Sequence, residues 1–265
     1  MIRRRNSEGG IKMTGILLCL SMVLFSARAD DVYRGFSSAE GKNFRGRVLS
    51  FDARKGTVKI EAENGKWANV PLSDLSEKDQ EYVWEWDKAQ IFLDERLFKI
   101  SCDERVVDES KDEVRQDFQW NTRPLEKDRL MNTIYREKTA YEFELNNNSP
   151  KTLSGIRIEY RIYYEQSKTS TASRKPTPEQ KVYKGSKELA NIPSGDSITL
   201  RSEPVEVYND EINPVDQMIG GDPRQGGEGE VHGIRARFFM KLSTGEEVMR
   251  EVSQPSSLSE DRFPW

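Results

Sequence analysis

Between Tyr33 and Leu72 apolar side chains recur at every second position in short runs, and after Ser76 they recur at three- and four-residue spacing. These are the periods of strands and of a helix. Tyr33 to Phe36 reads as a short strand, and Ala39-Glu40-Gly41 as a turn. Phe44 to Phe51 reads as a second strand carrying Phe44, Val48, Leu49 and Phe51. Asp52 to Gly56 is polar and ends in glycine, as a turn requires. Thr57 to Ala62 places Val58, Ile60 and Ala62 on one face, and Asn64-Gly65 is the dipeptide that best tolerates a tight hairpin before a return strand over Lys66 to Leu72. Four strands this short leave too little area for an open sheet, so a small curled barrel is expected. Ser76 is placed to cap a helix with Glu77 and Asp79 in its first turn, running to about Phe92. Tyr82, Trp86, Ala89 and Leu93 fall on its packing stripe, while Trp84 and Ile91 point the other way, toward an interdomain contact or a partner.

From Leu97 the texture changes. Leu97 to Val107 is strand-like and Asp108 to Asp117 reads as a charged loop. Alternating runs follow at Thr139 to Leu145, Ile156 to Tyr164, Lys181 to Ile192, Ser197 to Tyr208, Gly233 to Leu242 and Glu247 to Val252. Asn146 to Pro150, Pro193 to Asp196 and Ser243 to Glu246 separate them. About seven strands so spaced predict an antiparallel sandwich of immunoglobulin or fibronectin type, without the paired cysteines of antibody domains. Gln166 to Gln180, rich in Ser, Thr, Lys and Pro, and the glycine-rich Asn209 to His232 are expected to be loops. The acids of the second loop match neither a calcium loop nor a phosphate loop in spacing.

The start of the chain bears on location. Arg3, Arg4, Arg5 and Lys12 precede a short apolar run over Ile16 to Phe25, and Ala27-Arg28-Ala29 offers small residues at the cleavage-defining positions. That is the pattern of a secretory signal peptide over residues 1–29. The run is well short of a spanning helix, so no stable membrane span is expected after cleavage. An exported protein, periplasmic or extracellular, follows. Its loss removes five basic side chains and one acidic, moving the formal net charge from −4 to −8. Basic and acidic residues alternate throughout the remainder, which argues against nucleic acid as a partner. Cys102 is the cysteine left after cleavage, so an internal disulfide and a cysteine-rich metal site are both excluded.

The order of strand, turn around Glu40-Gly41-Lys42, second strand and Asn64-Gly65 hairpin resembles the SLA-one homology domain, an SH3-like barrel. Its most specific part is Val70-Pro71-Leu72-Ser73-Asp74-Leu75-Ser76-Glu77-Lys78-Asp79-Gln80. Tyr141 to Leu153, Ile158 to Glu165 and Gln254 to Leu258 resemble the C-terminal region that often follows this barrel in exported bacterial proteins. The resemblance implies a barrel plus helix over residues 30–93, a sandwich over 97–265, and protein or peptide binding. It carries no individual binding residue across.

Small barrels hold extended peptides with exposed aromatics. Tyr33, Phe36 and Trp67 are the candidates, although a domain this small also needs its aromatics for a core. Trp84 and Ile91 complete the candidate partner-binding set. No catalytic, cofactor-binding or metal-ligating residue is assigned. His232, the only histidine, accompanies neither a Ser-elbow nor a zinc helix motif, and Cys102 on its strand is expected to be a buried thiol. The expected function is that of an exported, non-catalytic protein- or peptide-binding adaptor of a bacterial envelope. The alternatives are a carbohydrate-binding protein or carboxylate-based glycosidase, and a self-associating structural component.

Overall fold

The computed structural model describes residues 33–119, 124–168, 177–212, 224–243 and 245–265. The described residues are mainly β, with one α-helix among them. β1 (Arg34–Ser37), β2 (Asn43–Asp52), β3 (Thr57–Ala62) and β4 (Trp67–Pro71) form an antiparallel meander in the order β1-β2-β3-β4. A 3-10 turn, Leu72–Asp74, leads to α1 (Glu77–Leu93). The meander curls until Leu75 bridges Ser38, with Ser76 N–H donating to Ser37 O and Ala39 N–H to Asp74 O, both at 2.8 Å. In the β3–β4 connection, residues 63–66, only Gly65 adopts positive φ, at 75°. Glycine enters that region without steric cost.

The first core gathers Phe36, Val48, Val58, Ile60, Leu72 and Leu75 with Val83 and Trp86 from α1. The helix start is pinned to β1 by one carboxylate. Asp79, 4% exposed, accepts from Ser37 N–H (2.8 Å), Ser76 Oγ (2.7 Å) and the Arg34 guanidinium (2.9 Å). Ser76 returns the bond as N-cap. Arg34 also lies over the Tyr82 ring, 3.8 Å from its centre.

β5 (Phe98–Phe118), β6 (Glu126–Asn147), β9 (Ser197–Arg201), β10 (Val205–Ile212) and β11 (Arg224–Gln225) make one sheet. β7 (Ile156–Lys168), β8 (Thr177–Glu188), β12 (Gly229–Lys241) and β13 (Glu247–Gln254) make the other. Period-two side chains face inward from both: Tyr141, Phe143 and Leu145 from β6, Ile156, Ile158, Tyr160 and Ile162 from β7, and Ile234, Ala236, Phe238 and Met240 from β12. Tyr160 crosses the sandwich, its hydroxyl accepting from Glu203 N–H at 3.0 Å. Its ring lies where a side chain at Gly185 on β8 would stand, so that position must remain glycine. Buried Asn147 ends β6 by donating to the carbonyls of Lys151, Ile192 and Pro193.

Several sequence expectations need correction. Asp108 to Asp117 is not a loop but the outer part of β5, paired with β6 along its length. Its charges are met across the strands, Arg136 by Asp112 at 3.0 Å and Lys138 by Asp108 at 2.9 Å. Ser197 to Tyr208 is two strands, β9 and β10, because Pro204 interrupts the run. The expected loops are partly strand: β7 and β8 extend into the first, and β10, β11 and β12 into the second. The helix buries Val83, Trp86, Ala89, Ile91 and Phe92 rather than a single stripe ending at Leu93, because it enters two cores. Residues 1–29, read as a signal peptide, lie outside the described residues.

Asp79→Ala is expected to strip partners from the Arg34 guanidinium and Ser37 N–H and to lower stability by about 2–4 kcal/mol. Urea unfolding followed by tryptophan fluorescence measures this, and an unchanged midpoint would remove Asp79 from the architecture.

Candidate functional site

The outward face of the N-terminal sheet presents a row of cross-strand neighbours. β2 and β3 pair Arg47 with Glu61, and β3 and β4 pair Glu61 with Trp67. Tyr33, one residue before β1, completes the row, with the Arg47 guanidinium 5.4 Å from its ring centre and its hydroxyl donating to Glu61 at 3.3 Å. Arg47 Nε donates to Glu61 Oε2 at 2.6 Å. Adjacent to the row, the Lys59 ammonium sits 3.9 Å from the centre of the Trp67 ring, close enough for a cation–π contact.

Trp67 is 59% exposed, more than any other large apolar side chain described. An indole left so far in water has not been used for the core. Beside it, Phe44, Ile60, Ala62, Ala68 and Val70 line an apolar depression of about 340 Å3, to which Trp67, Lys66 and Asn64 also contribute. An aromatic side chain held by a cation and an apolar hollow therefore flank one sheet edge, the ingredients of a site for an extended chain.

Of the five candidates, the structure brings Tyr33 and Trp67 onto one face. Phe36 is 1% exposed, stacked on Phe44 at 5.5 Å and edge-on to Tyr82 at 5.9 Å. Ile91 is 6% exposed, within the sandwich core. Trp84 is exposed (39%) and lies edge-on to Phe51 at 4.8 Å, with Lys151 Nζ 4.3 Å from its ring centre. The seam there is polar as well: Glu85 accepts from Lys88 Nζ at 2.6 Å and from Ser243 N–H at 3.0 Å, and Lys151 pairs with Asp87. Burial pushes the Glu85 carboxyl up, but these donors outweigh it and hold it below the ordinary value. Arg47, Lys59 and Glu61 went unassigned in the sequence. The signal for them was the turn, because a loop closing Ala62 onto Lys66 sets Glu61 opposite Trp67 and Lys59 opposite Asn69.

Elsewhere, His232 sits at a register shift in β12, with Nε2 3.6 Å from Glu165 and Nδ1 3.8 Å from Glu230. Its ring rests on Phe263 at 5.3 Å. Cys102 is buried, and burial together with Asp103 and Glu104 pushes its thiol up to about 12. Among the described residues no group of three or more His, Cys, Asp and Glu side chains is arranged to hold a metal ion. No helix among them is long and apolar enough to cross a membrane.

No family model matches the chain, and no curated protein matches it. Among solved structures, the X-ray structure of Northeast Structural Genomics Consortium target SoR45 is similar over 60% of this chain and 86% of that chain, at 8% identity and a TM-score of 0.24. A likeness of that size carries no argument.

A thiol pushed up to about 12 remains protonated and unreactive at pH 8. In the folded protein Cys102 should resist iodoacetamide at that pH and react once urea unfolds the chain, as peptide mass spectrometry reads. Since the unfolded thiol loses its proton first, above about pH 8.5, this group's contribution to stability is complete below that pH and is lost as pH rises toward 12. Rapid alkylation of the native protein would contradict the burial.

Proposed function

We propose that the chain is an exported, non-catalytic adaptor of a bacterial envelope that binds protein or peptide. In this reading its N-terminal unit is an SH3-like barrel of the SLA-one homology type and the sandwich is its carrier. The observation that carries the proposal is Trp67, exposed and held under Lys59 beside an apolar hollow. Aromatic side chains in such positions dominate the energetics of recognition sites. The pattern of residues 1–29 supports export, and the absence of a signal for catalysis in the sequence supports a binding role.

The carbohydrate alternative also draws on Trp67, because sugars stack on exposed indoles. It is the weaker reading here, since the Lys59 ammonium already occupies space over the ring. The self-association alternative rested on Trp84, Ile91 and the strand edges. Ile91 is engaged in the core, and Trp84, still 39% exposed, packs against Phe51 and Lys151.

Panning a phage-displayed random peptide library over the immobilised full chain tests the proposal. Selected peptides should bind Trp67→Ala about ten-fold or more weakly, with no change in melting temperature, because an exposed indole contributes little to stability. Failure to enrich any peptide, joined with retention of an oligosaccharide on a glycan array, would transfer the function to carbohydrate. The exported form should begin at Asp30 by N-terminal sequencing, and recovery of an intact Met1 would contradict the export signal.

A further inference from the structure

β4 is an unpaired edge. Among the described residues it hydrogen-bonds to β3 alone, and the parity of that pairing is fixed at both ends. Ala62 N–H donates to Lys66 O and Leu72 N–H to Gly56 O, each at 2.8 Å. Bonding pairs therefore fall at Ile60 with Ala68 and Val58 with Val70, and the backbone groups of Trp67, Asn69 and Pro71 turn away from the sheet. Pro71 falls on the outward set, where its missing donor breaks no ladder bond. The N–H groups of Trp67 and Asn69 and the carbonyls of Trp67, Asn69 and Pro71 are thus presented to solvent.

Edges of this kind are normally defended. β5 is an edge carrying a dense run of charges, and three register shifts interrupt its pairing with β6. β8 carries Lys181, Lys184 and Lys187, and β13 carries Glu247, Arg250 and Glu251. β4, reading Trp-Ala-Asn-Val-Pro, carries no charge. Its two faces also differ. A strand laid alongside would send alternate side chains into the hollow of Phe44, Ile60, Ala62, Ala68 and Val70, which Trp67 borders. The others would lie beside Trp67 and Lys59. Lys59 has no carboxylate partner among the described residues, unlike Arg45, which pairs with Glu63, and Arg47, which pairs with Glu61.

We infer that β4 takes an extended segment of a partner protein as a fifth strand, and that the segment alternates apolar residues, set into the hollow, with acidic residues set against Lys59. Main-chain bonds to Trp67 and Asn69 supply the docking, and the two faces supply the selection. This rests on the peptide-binding reading of the same sheet and adds where the peptide lies, how it is held and which side chains it bears.

The test uses the full chain and fluorescein-labelled peptides of alternating Val and Glu, of alternating Val and Lys, and a block isomer with the Val and Glu residues grouped. Fluorescence anisotropy reads binding. The alternating Val/Glu peptide should bind best, with the block isomer about ten-fold weaker. Asn69→Pro deletes an outward N–H, at an edge position where proline breaks no ladder bond, and should weaken binding about three- to ten-fold, whereas Asn69→Ala should bind normally. Lys59→Glu should prefer the Val/Lys peptide. A control on the probe does not depend on the variants folding: N-methylation of alternate peptide residues should abolish binding in one phase and spare it in the other. Equal binding of the two methylated phases, or unimpaired binding by Asn69→Pro, would overturn strand addition. If Trp67→Ala then still abolished binding, the broader peptide-binding reading would stand. If it did not, that reading would fall too.

Discussion

One helix is required to finish two hydrophobic cores, and much else in the molecule follows from that constraint. The first half of α1 delivers Val83 and Trp86 to the N-terminal sheet, and the second half delivers Ala89, Ile91 and Phe92 to the sandwich. A helix burying different faces at its two ends leaves little freedom in how it enters or leaves. Its start is fixed by Asp79, and its end is met from a distant strand. The last turn of α1 contains no basic residue of its own. Arg250 on β13 donates instead to the carbonyl of Phe92 and to that of Phe98 just beyond. It satisfies a carbonyl otherwise orphaned at a helix terminus and places positive charge at the negative end of the dipole. Burial pushes that guanidinium below its ordinary value, but arginine remains charged across the accessible range.

The N-terminal sheet was legible because each local signal agreed with its neighbours. Thr57 to Ala62 alternates cleanly, Gly65 is where the hairpin needs it, and Ser76 caps the helix it precedes. The β5–β6 ribbon was half legible for a physical reason. Period-two analysis detects contrast between a dry face and a wet one. From Asp103 to Gln116 the strand is exposed throughout, so no contrast exists. Its pairing is encoded instead in partners more than twenty positions apart, such as Asp112 with Arg136. The candidate surface had the same character: Tyr33 and Trp67 could be picked out as aromatic, but their convergence on Glu61 depends on register.

The ribbon's ion pairs are largely exposed, and each such pair contributes between nothing and about 1 kcal/mol. Their value lies in register and in keeping a long edge soluble. The contrast with β4 is then a contrast of purpose within one chain, since the same sequence that charges one edge heavily leaves another neutral.

The tie between the two sheets of the sandwich has a further consequence. Many sandwiches hold their sheets with a disulfide across the core; here the Tyr160 hydroxyl reaches Glu203 across the same gap, and Gly185 makes room for the ring. Cys102, the only cysteine described, has no partner. A cross-tie made of a hydrogen bond contains nothing for a thiol reductant or an oxidant to act on. This join between the sheets is therefore indifferent to the redox poise of whatever compartment the protein occupies.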